Sequence, residues 1–301
     1  MKRLTALLLL FALLLPAAAF ADDVIPPQWE VPDFVTAVLD VARGEIGYKE
    51  GLHNYSKYGE WSGDPYTQWC AEFVCWCVDQ VDQREGTSLL NTQWPLYTSS
   101  NTGKNWFIRN GRYISRNGYL DNWGYQWFKG SDSFITPGDY IPQPGDWVFF
   151  TWDSDTDTDH VAMVEYCTRG MGGDVIIHVI EGNNPDKVQR NNYMLSNKRI
   201  LGFGTVHDVA DWTMRSGCSG EKVRELQEKL VRIGFLPDHL VDGHYGAATV
   251  NAVRAYQRYY GLQENGIANL QTQTQLDLDV QDIRINDPNT WTVIDDEDDD
   301  L

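Results

Sequence analysis

The stretch "PYTQWCAEFVCWC", residues 65–77, puts Cys70, Cys75 and Cys77 within eight residues, and Cys167 and Cys218 follow far downstream. A thiol becomes a useful nucleophile where its thiolate is stabilised, and a helix N-terminus does this with unpaired N–H groups and the positive end of its dipole. From Cys70 the residues "CAEFVCWCVDQV" have helical periodicity, with Phe73, Val74, Cys77 and Val81 as the apolar stripe. Cys70 therefore stands at the start of a helix. Cys75 and Cys77 lie further in, where cysteine behaves as a small buried hydrophobe, and they are too close together to bridge easily. Five cysteines cannot all pair within one chain, so a free thiol remains even if Cys167 and Cys218 form a bridge.

A cysteine nucleophile needs a base that later protonates the leaving amine, and histidine is the usual choice near neutral pH. His160 opens the strand-like run "HVAMVEYC" directly after a turn, where its ring can face a cleft. His178 sits inside "DVIIHVIEG" and reads as a packed core histidine, while His53, His207, His239 and His244 fall in loops, near the linker or in a second domain. A third group must orient the imidazole. Strand alternation puts Val175, Ile177, Val179, Glu181 and Asn183 on one face and His178 on the other, so Glu181 and Asn183 are the candidates. Before His160 the loop "DSDTDTDH" alternates Asp153, Asp155, Asp157 and Asp159 like calcium ligands. It lacks a glycine at the sixth position and has Val164 where an acid should stand at the twelfth, so it reads as a solvated acidic turn that raises the His160 pKa.

Around these residues the chain divides into recognisable segments. Lys2 and Arg3, the apolar run "LLLLFALLLP" and Ala19-Phe20-Ala21 read as a signal peptide over 1–21, cut before Asp22. As a membrane anchor the run is marginal in length and broken by Pro16. Residues 31–48 carry Phe34, Val38, Val41 and Ile46 at helical spacing, and 49–69 are rich enough in Gly, Asn, Ser and Asp to be loop. Residues 92–142 have no clean period and predict short elements around an aromatic cluster. "GDWVFFTW", "HVAMVEYC" and "DVIIHVIEG" then predict an antiparallel sheet. After a weak stretch at 205–216, a helical unit begins at Gly217, with Val223, Leu226, Leu230 and Ile233 on one face of its first helix. The tail "IDDEDDDL" reads as a solvated end.

Forty-three Asp and Glu against 24 Lys and Arg give a formal net charge of −19, or −21 once Lys2 and Arg3 leave with the signal peptide. Such a surface repels polyanions and argues against nucleic-acid or anionic-membrane partners.

"EIGYKEGLHNYSKYGEWSG", "QWCAEFVCWC", "PGDWVFF", "HVAMVE" and "VIEGNN", in that order, resemble a CHAP domain, a papain-like group of amidases and peptidases close to NlpC/P60 that cut bacterial cell-wall peptide. The resemblance implies an α+β fold over 31–206, N-terminal helices packed on an antiparallel sheet, with Cys70 as nucleophile, His160 as base, Glu181 as orienting acid and Asn183 as an auxiliary. The stretch from Leu96 to Tyr140 is expanded relative to short CHAP domains, so specificity stays open, and its tryptophans could support the loops or stack on sugars. "GEKVRELQEKLVRIGF", "VDGHYGAATVNAVRAYQRYYGL" and "NGIANLQTQTQL" resemble a three-helix peptidoglycan-binding domain over 217–278, followed by an acidic tail over 279–301. Asn269-Leu270 replace a common Gly-Pro, which is expected to weaken the third-helix cap.

Together with the signal peptide, these resemblances imply a secreted or wall-associated monomer, free of the membrane after cleavage, that hydrolyses peptidoglycan without metal or organic cofactor. The Cys70 thiolate attacks an amide carbonyl, and the Cys70 backbone N–H, with Gln68 or another donor nearby, meets the oxyanion. An endopeptidase within the peptide, an N-acetylmuramoyl-L-alanine amidase and an inactive wall-binding scaffold remain the competing readings.

Overall fold

The computed structural model describes residues 23–120, 124–129, 131, 133–153 and 156–286. The expected signal peptide, Asp155 and the tail beyond 286 lie outside the described residues. In chain order the elements are β1 (Asp23–Ile25), α1 (Asp33–Gly44), α2 (Lys57–Ser62), α3 (Cys70–Glu85), α4 (Ser100–Arg109), β2 (Tyr113–Ser115), β3 (Tyr119–Leu120), β4 (Gly124–Phe128) and β5 (Trp147–Phe150). They continue with β6 (His160–Arg169), β7 (Val175–Glu181), β8 (Gln189–Met194), β9 (Ile200–Gly204), β10 (Ala210–Thr213), α5 (Glu221–Arg232), α6 (Ala247–Tyr259) and α7 (Leu270–Asn286).

A mixed α+β fold results. The main sheet is antiparallel in the order β2-β9-β5-β6-β7-β8, with β1 added to β6. Its central strand β5 is buried on both faces, which explains the unbroken apolar run "WVFF". Trp147, Phe149, Val161, Met163 and Ile180 pack on α1 and α3, while Val148, Phe150, Ala162 and Val179 pack with Tyr140 and Phe203 on the other side. The expected stripe of α3 is fully buried at Phe73, Val74, Cys77 and Val81. Burying one such side chain contributes about 1.5–3 kcal/mol, so this face alone pins α3 to the sheet. The helix starts at Cys70, as its periodicity requires, and ends at Gly86, whose φ of 68° lets its N–H turn back to the Asp82 carbonyl.

Two segments differ from expectation, and a third takes one of the two roles expected of it. Residues 49–69 are not all loop: Ser56 Oγ accepts from the Gly59 N–H and caps the short helix α2. In the expanded stretch, Trp127 is buried, so it supports structure. The weak stretch before the second unit is not an open linker. Its residues 210–213 form β10, which pairs with β4, itself paired with β3, in a small sheet, and Met214 bridges to Ala268 of the C-terminal unit.

The helical unit owes its shape to two buried glutamines. Gln227 accepts from the N–H groups of Asp242 and Gly243, and its amide donates to the His244 carbonyl. Gln257 repeats the device on the N–H groups of Asn265 and Gly266, with its amide on the Ile267 carbonyl. Each glutamine thus holds a turn whose glycine has positive φ, Gly243 at 73° and Gly266 at 71°. Asn269 does not weaken the third cap. Its Oδ1 accepts from the Thr272 N–H at 2.9 Å, the bond of an N-cap asparagine, and α7 runs well past the predicted segment. All five cysteines are free thiols. Cys167 and Cys218 lie in separate cores, and Cys167 Sγ donates to the Pro142 carbonyl instead of bridging.

Candidate active site

The N-terminus of α3, the first residue of β6 and the last residue of β7 meet at one end of the sheet. Because β6 and β7 are antiparallel, the start of one lies beside the end of the other, which brings His160 next to Glu181 across 21 residues of sequence. His160 Nε2 is 2.9 Å from Glu181 Oε2, and the other face of the imidazole has the Cys70 thiol as its hydrogen-bond partner. With Nε2 engaged by the carboxylate, Nδ1 is the nitrogen left for sulfur. Cys70 keeps 8 % of its surface exposed, His160 3 % and Glu181 none, so solvent reaches the three from the sulfur side.

Burial works against charge on His160, yet Cys70 and Glu181 together hold its pKa up at about 9. The imidazole is therefore protonated at neutral pH. The causes of the rise are Cys70 and Glu181, not the acidic turn, whose Asp159 Oδ2 accepts from the Trp152 N–H at 2.6 Å and Asp153 Oδ1 from Thr151 Oγ1 at 3.1 Å. Among the described residues no cluster of three or more His, Cys, Asp or Glu could hold a metal ion.

Glu181 is held by side chains that sequence reading did not single out. Asn184 Nδ2 donates to Oε1 at 2.9 Å, Asn191 Nδ2 donates to the same oxygen, and the Tyr193 hydroxyl lies 3.1 Å from both. Asn191 and Tyr193 stand two apart on β8, so they share a face, but only the β7–β8 register shows that this face meets Glu181. Asn183 stands apart from the carboxylate. The strand ends at Glu181 and the chain turns left-handed at Asn183, φ 57°, so alternation no longer applies. Its amide donates instead to Gln68 Oε1 at 2.7 Å, which ties the turn after β7 to the approach to α3. His178 stays outside the site, bonded to Thr168 Oγ1 at 2.9 Å and stacked on Tyr166.

Two features fix the nucleophile relative to the base. Trp69, just before Cys70, is fully buried, stacks on Tyr58 and donates its indole N–H to Glu50 Oε2 at 2.8 Å. Gly182, just after Glu181, packs directly on the same turn: a Cβ there would lie 2.6 Å from the Trp69 ring and 2.8 Å from the Phe73 Cβ. Lacking a side chain, it lets the end of β7 touch the start of α3. Glu72, two residues after the nucleophile, is fully buried with no hydrogen-bond partner for either carboxylate oxygen among the described residues, and burial pushes it up to about 7.

Residues 61–183 match the CHAP domain family, and residues 219–276 match the peptidoglycan binding domain family. A protein named "Probable N-acetylmuramoyl-L-alanine amidase" from Bacillus licheniformis is 36 % identical over 83 residues, 27 % of this chain and 23 % of that protein. The N-acetylmuramoyl-L-alanine amidase CwlM of Mycobacterium tuberculosis is 47 % identical over 53 residues, 18 % of this chain and 13 % of its own length. The crystal structure of the SleB N-terminal domain is similar at 37 % identity and a TM-score of 0.22, covering 23 % of this chain and 92 % of that one. The chain thus spans less than a quarter of the curated relatives it matches first. It carries a CHAP domain followed by a peptidoglycan binding domain.

Proposed function

We propose that the protein is a peptidoglycan hydrolase of the cell exterior that cleaves amide bonds of wall peptides through Cys70, His160 and Glu181. One observation carries this reading: a helix-terminal cysteine meets a histidine held by a buried carboxylate, inside a CHAP domain joined to a peptidoglycan binding domain. In the mechanism, Cys70 Sγ attacks the amide carbonyl while the protonated His160 stands beside it. The first N–H groups of α3 lack helical partners and face the developing oxyanion, and Gln68, held by Asn183, contributes its amide from the rim. His160 gives its proton to the departing amine and then takes one from the water that opens the thioester. Glu181 keeps the ring oriented and balances its charge throughout.

The choice of bond is an endopeptidase cut within the peptide. The names of the curated relatives favour an amidase cut between sugar and peptide, but the shared stretches, 83 and 53 residues, are shorter than the CHAP match. Mass spectrometry of fragments released from purified peptidoglycan decides between them. An endopeptidase releases amines from within the stem or cross-bridge; peptides freed from glycan with an N-terminal alanine would establish the amidase instead.

A further inference from the structure

A cavity of about 560 Å³ lies between α4, β2, β3 and the loop after β5, and Cys70, His160 and Glu181 are not among its lining residues. Three cations, Lys104, Arg116 and Lys198, and one carboxylate, Asp157, line it among the described residues. In a chain of net charge −19 the lining side chains carry more positive than negative charge, beside a loop that brings further carboxylates at Asp153 and Asp159. Many other Lys and Arg side chains are paired with carboxylates, as Arg43 and Arg190 are with Glu165, Lys57 with Glu45 and Lys229 with Asp277. Among the described residues, exposed Lys198 has no ion-pair or side-chain hydrogen-bond partner, and the Arg116 guanidinium uses its Nε alone, on the Ile200 carbonyl at 3.0 Å. Lys104, nearly buried, donates to the Thr156 carbonyl and so fixes the loop that forms one wall. The rest of the lining is mixed, with Ile108, Leu120, Ile200 and Leu201 as its aliphatic part and Asn101, Asn105 and Asn117 among its polar part.

The cavity's lining includes chain neighbours of the histidine and of the residues that touch it. Asp157 lines it three residues before His160, so their Cα atoms are at most about 11 Å apart. Thr151 lines it too, while the next residue, Trp152, stacks on the His160 ring at 5.7 Å. Lys198 and Ile200 line it, while Arg199 between them lies 5.4 Å over the Trp152 ring. Trp152 and Arg199, each next in sequence to lining residues, thus link the cavity wall to the base through Trp152.

We propose that this cavity is a subsite for the free carboxylate end of a short wall peptide, with Arg116 and Lys198 holding the carboxylate and the aliphatic part of the lining taking the aliphatic side chains next to it. The proposal rests on the hydrolase reading above and adds a substrate feature to it, an unblocked acidic peptide terminus near the cleaved bond. It is tested by calorimetric titration of the full-length Cys70→Ala protein with a soluble muropeptide ending in a free carboxylate and with its C-terminal amide.

The acid is expected to bind about tenfold more tightly than the amide, with the preference shrinking at high salt. Lys198→Gln, at an exposed residue, should weaken the acid about threefold and leave the amide unchanged, and Arg116→Gln in addition should abolish the preference. Equal binding of acid and amide, or a preference untouched by Lys198→Gln, would overturn the subsite. Amine release by the wild-type chain, measured alongside, separates the two failures: release without an acid preference sinks the subsite alone, and no release sinks the hydrolase reading.

Discussion

Replacing Glu181 by glutamine keeps the shape of the side chain and removes its charge, and the outcome can be worked out from its contacts. In the wild type His160 titrates at about 9 against an ordinary value of 6.5, although burial pushes the other way. That difference corresponds to about 3 kcal/mol in favour of the imidazolium, supplied by Cys70 and Glu181 together. Removing one of the two charges while the burial penalty stays should lower the imidazole pKa by at least about one pH unit. The new amide also turns an N–H₂ towards Asn184 and Asn191, which themselves donate to this position. Two facing donors cost about 1–3 kcal/mol of stability. The assay is NMR titration of the His160 ring in both proteins, with the alkaline limb of kcat/KM for amine release measured in parallel. The sign follows from the roles: above its pKa His160 cannot protonate the leaving amine, so activity falls through about pH 9 in the wild type and at lower pH in Glu181→Gln. The pair's contribution to folding is likewise complete below about pH 6.5 and is lost as pH rises through about 9. A folded Glu181→Gln variant whose histidine still titrates near 9 would refute this electrostatic assignment.

Further tests concern the frame around the site. Gly182→Ala forces the end of β7 away from Trp69 and Phe73, and a displacement of the nucleophile by about 1 Å should reduce kcat roughly 100-fold; near-normal turnover in that variant would remove Gly182 from the positioning role. Glu72 is an acid with a raised pKa, so the folded chain keeps a proton that the unfolded chain releases, and wild-type stability should fall relative to Glu72→Gln as pH goes from about 4.5 to about 7. Chemical denaturation across that range should show the two stabilities diverging by up to about 3 kcal/mol; parallel curves would mean the carboxylate is not desolvated. Asn269→Ala should lower the unfolding free energy of the C-terminal unit by about 1 kcal/mol, read from its thermal or denaturant transition, and no change would deny the cap.

What was legible beforehand was local. The apolar stripe Phe73, Val74, Cys77 and Val81 fixes where α3 begins, hence that Cys70 is at its first position. The run from His160 to Cys167 marks a strand that starts on the histidine, and "VIEGNN" marks where its neighbour ends. What was not legible depends on pairing between distant segments. Asn191 and Tyr193 sit in "QRNNYM", a polar, half-exposed strand without an apolar signature, and their contact with Glu181 exists only because β8 pairs with β7. Asn183 follows strand alternation on paper and leaves it in the fold, because a left-handed turn intervenes. The strand β10 was missed for a similar reason: four residues have little pattern of their own, and β4 is what makes them a strand.

The central claim is that Cys70 cleaves wall peptide, and the most direct measurement is release of free amines from purified peptidoglycan by wild-type protein and by Cys70→Ala, with sedimentation of both on the same wall. The prediction is release by the wild type and none by the variant, while both cosediment equally through the peptidoglycan binding domain. Release by Cys70→Ala at the wild-type rate, or no release by a reduced, folded wild type that still binds the wall, would contradict it.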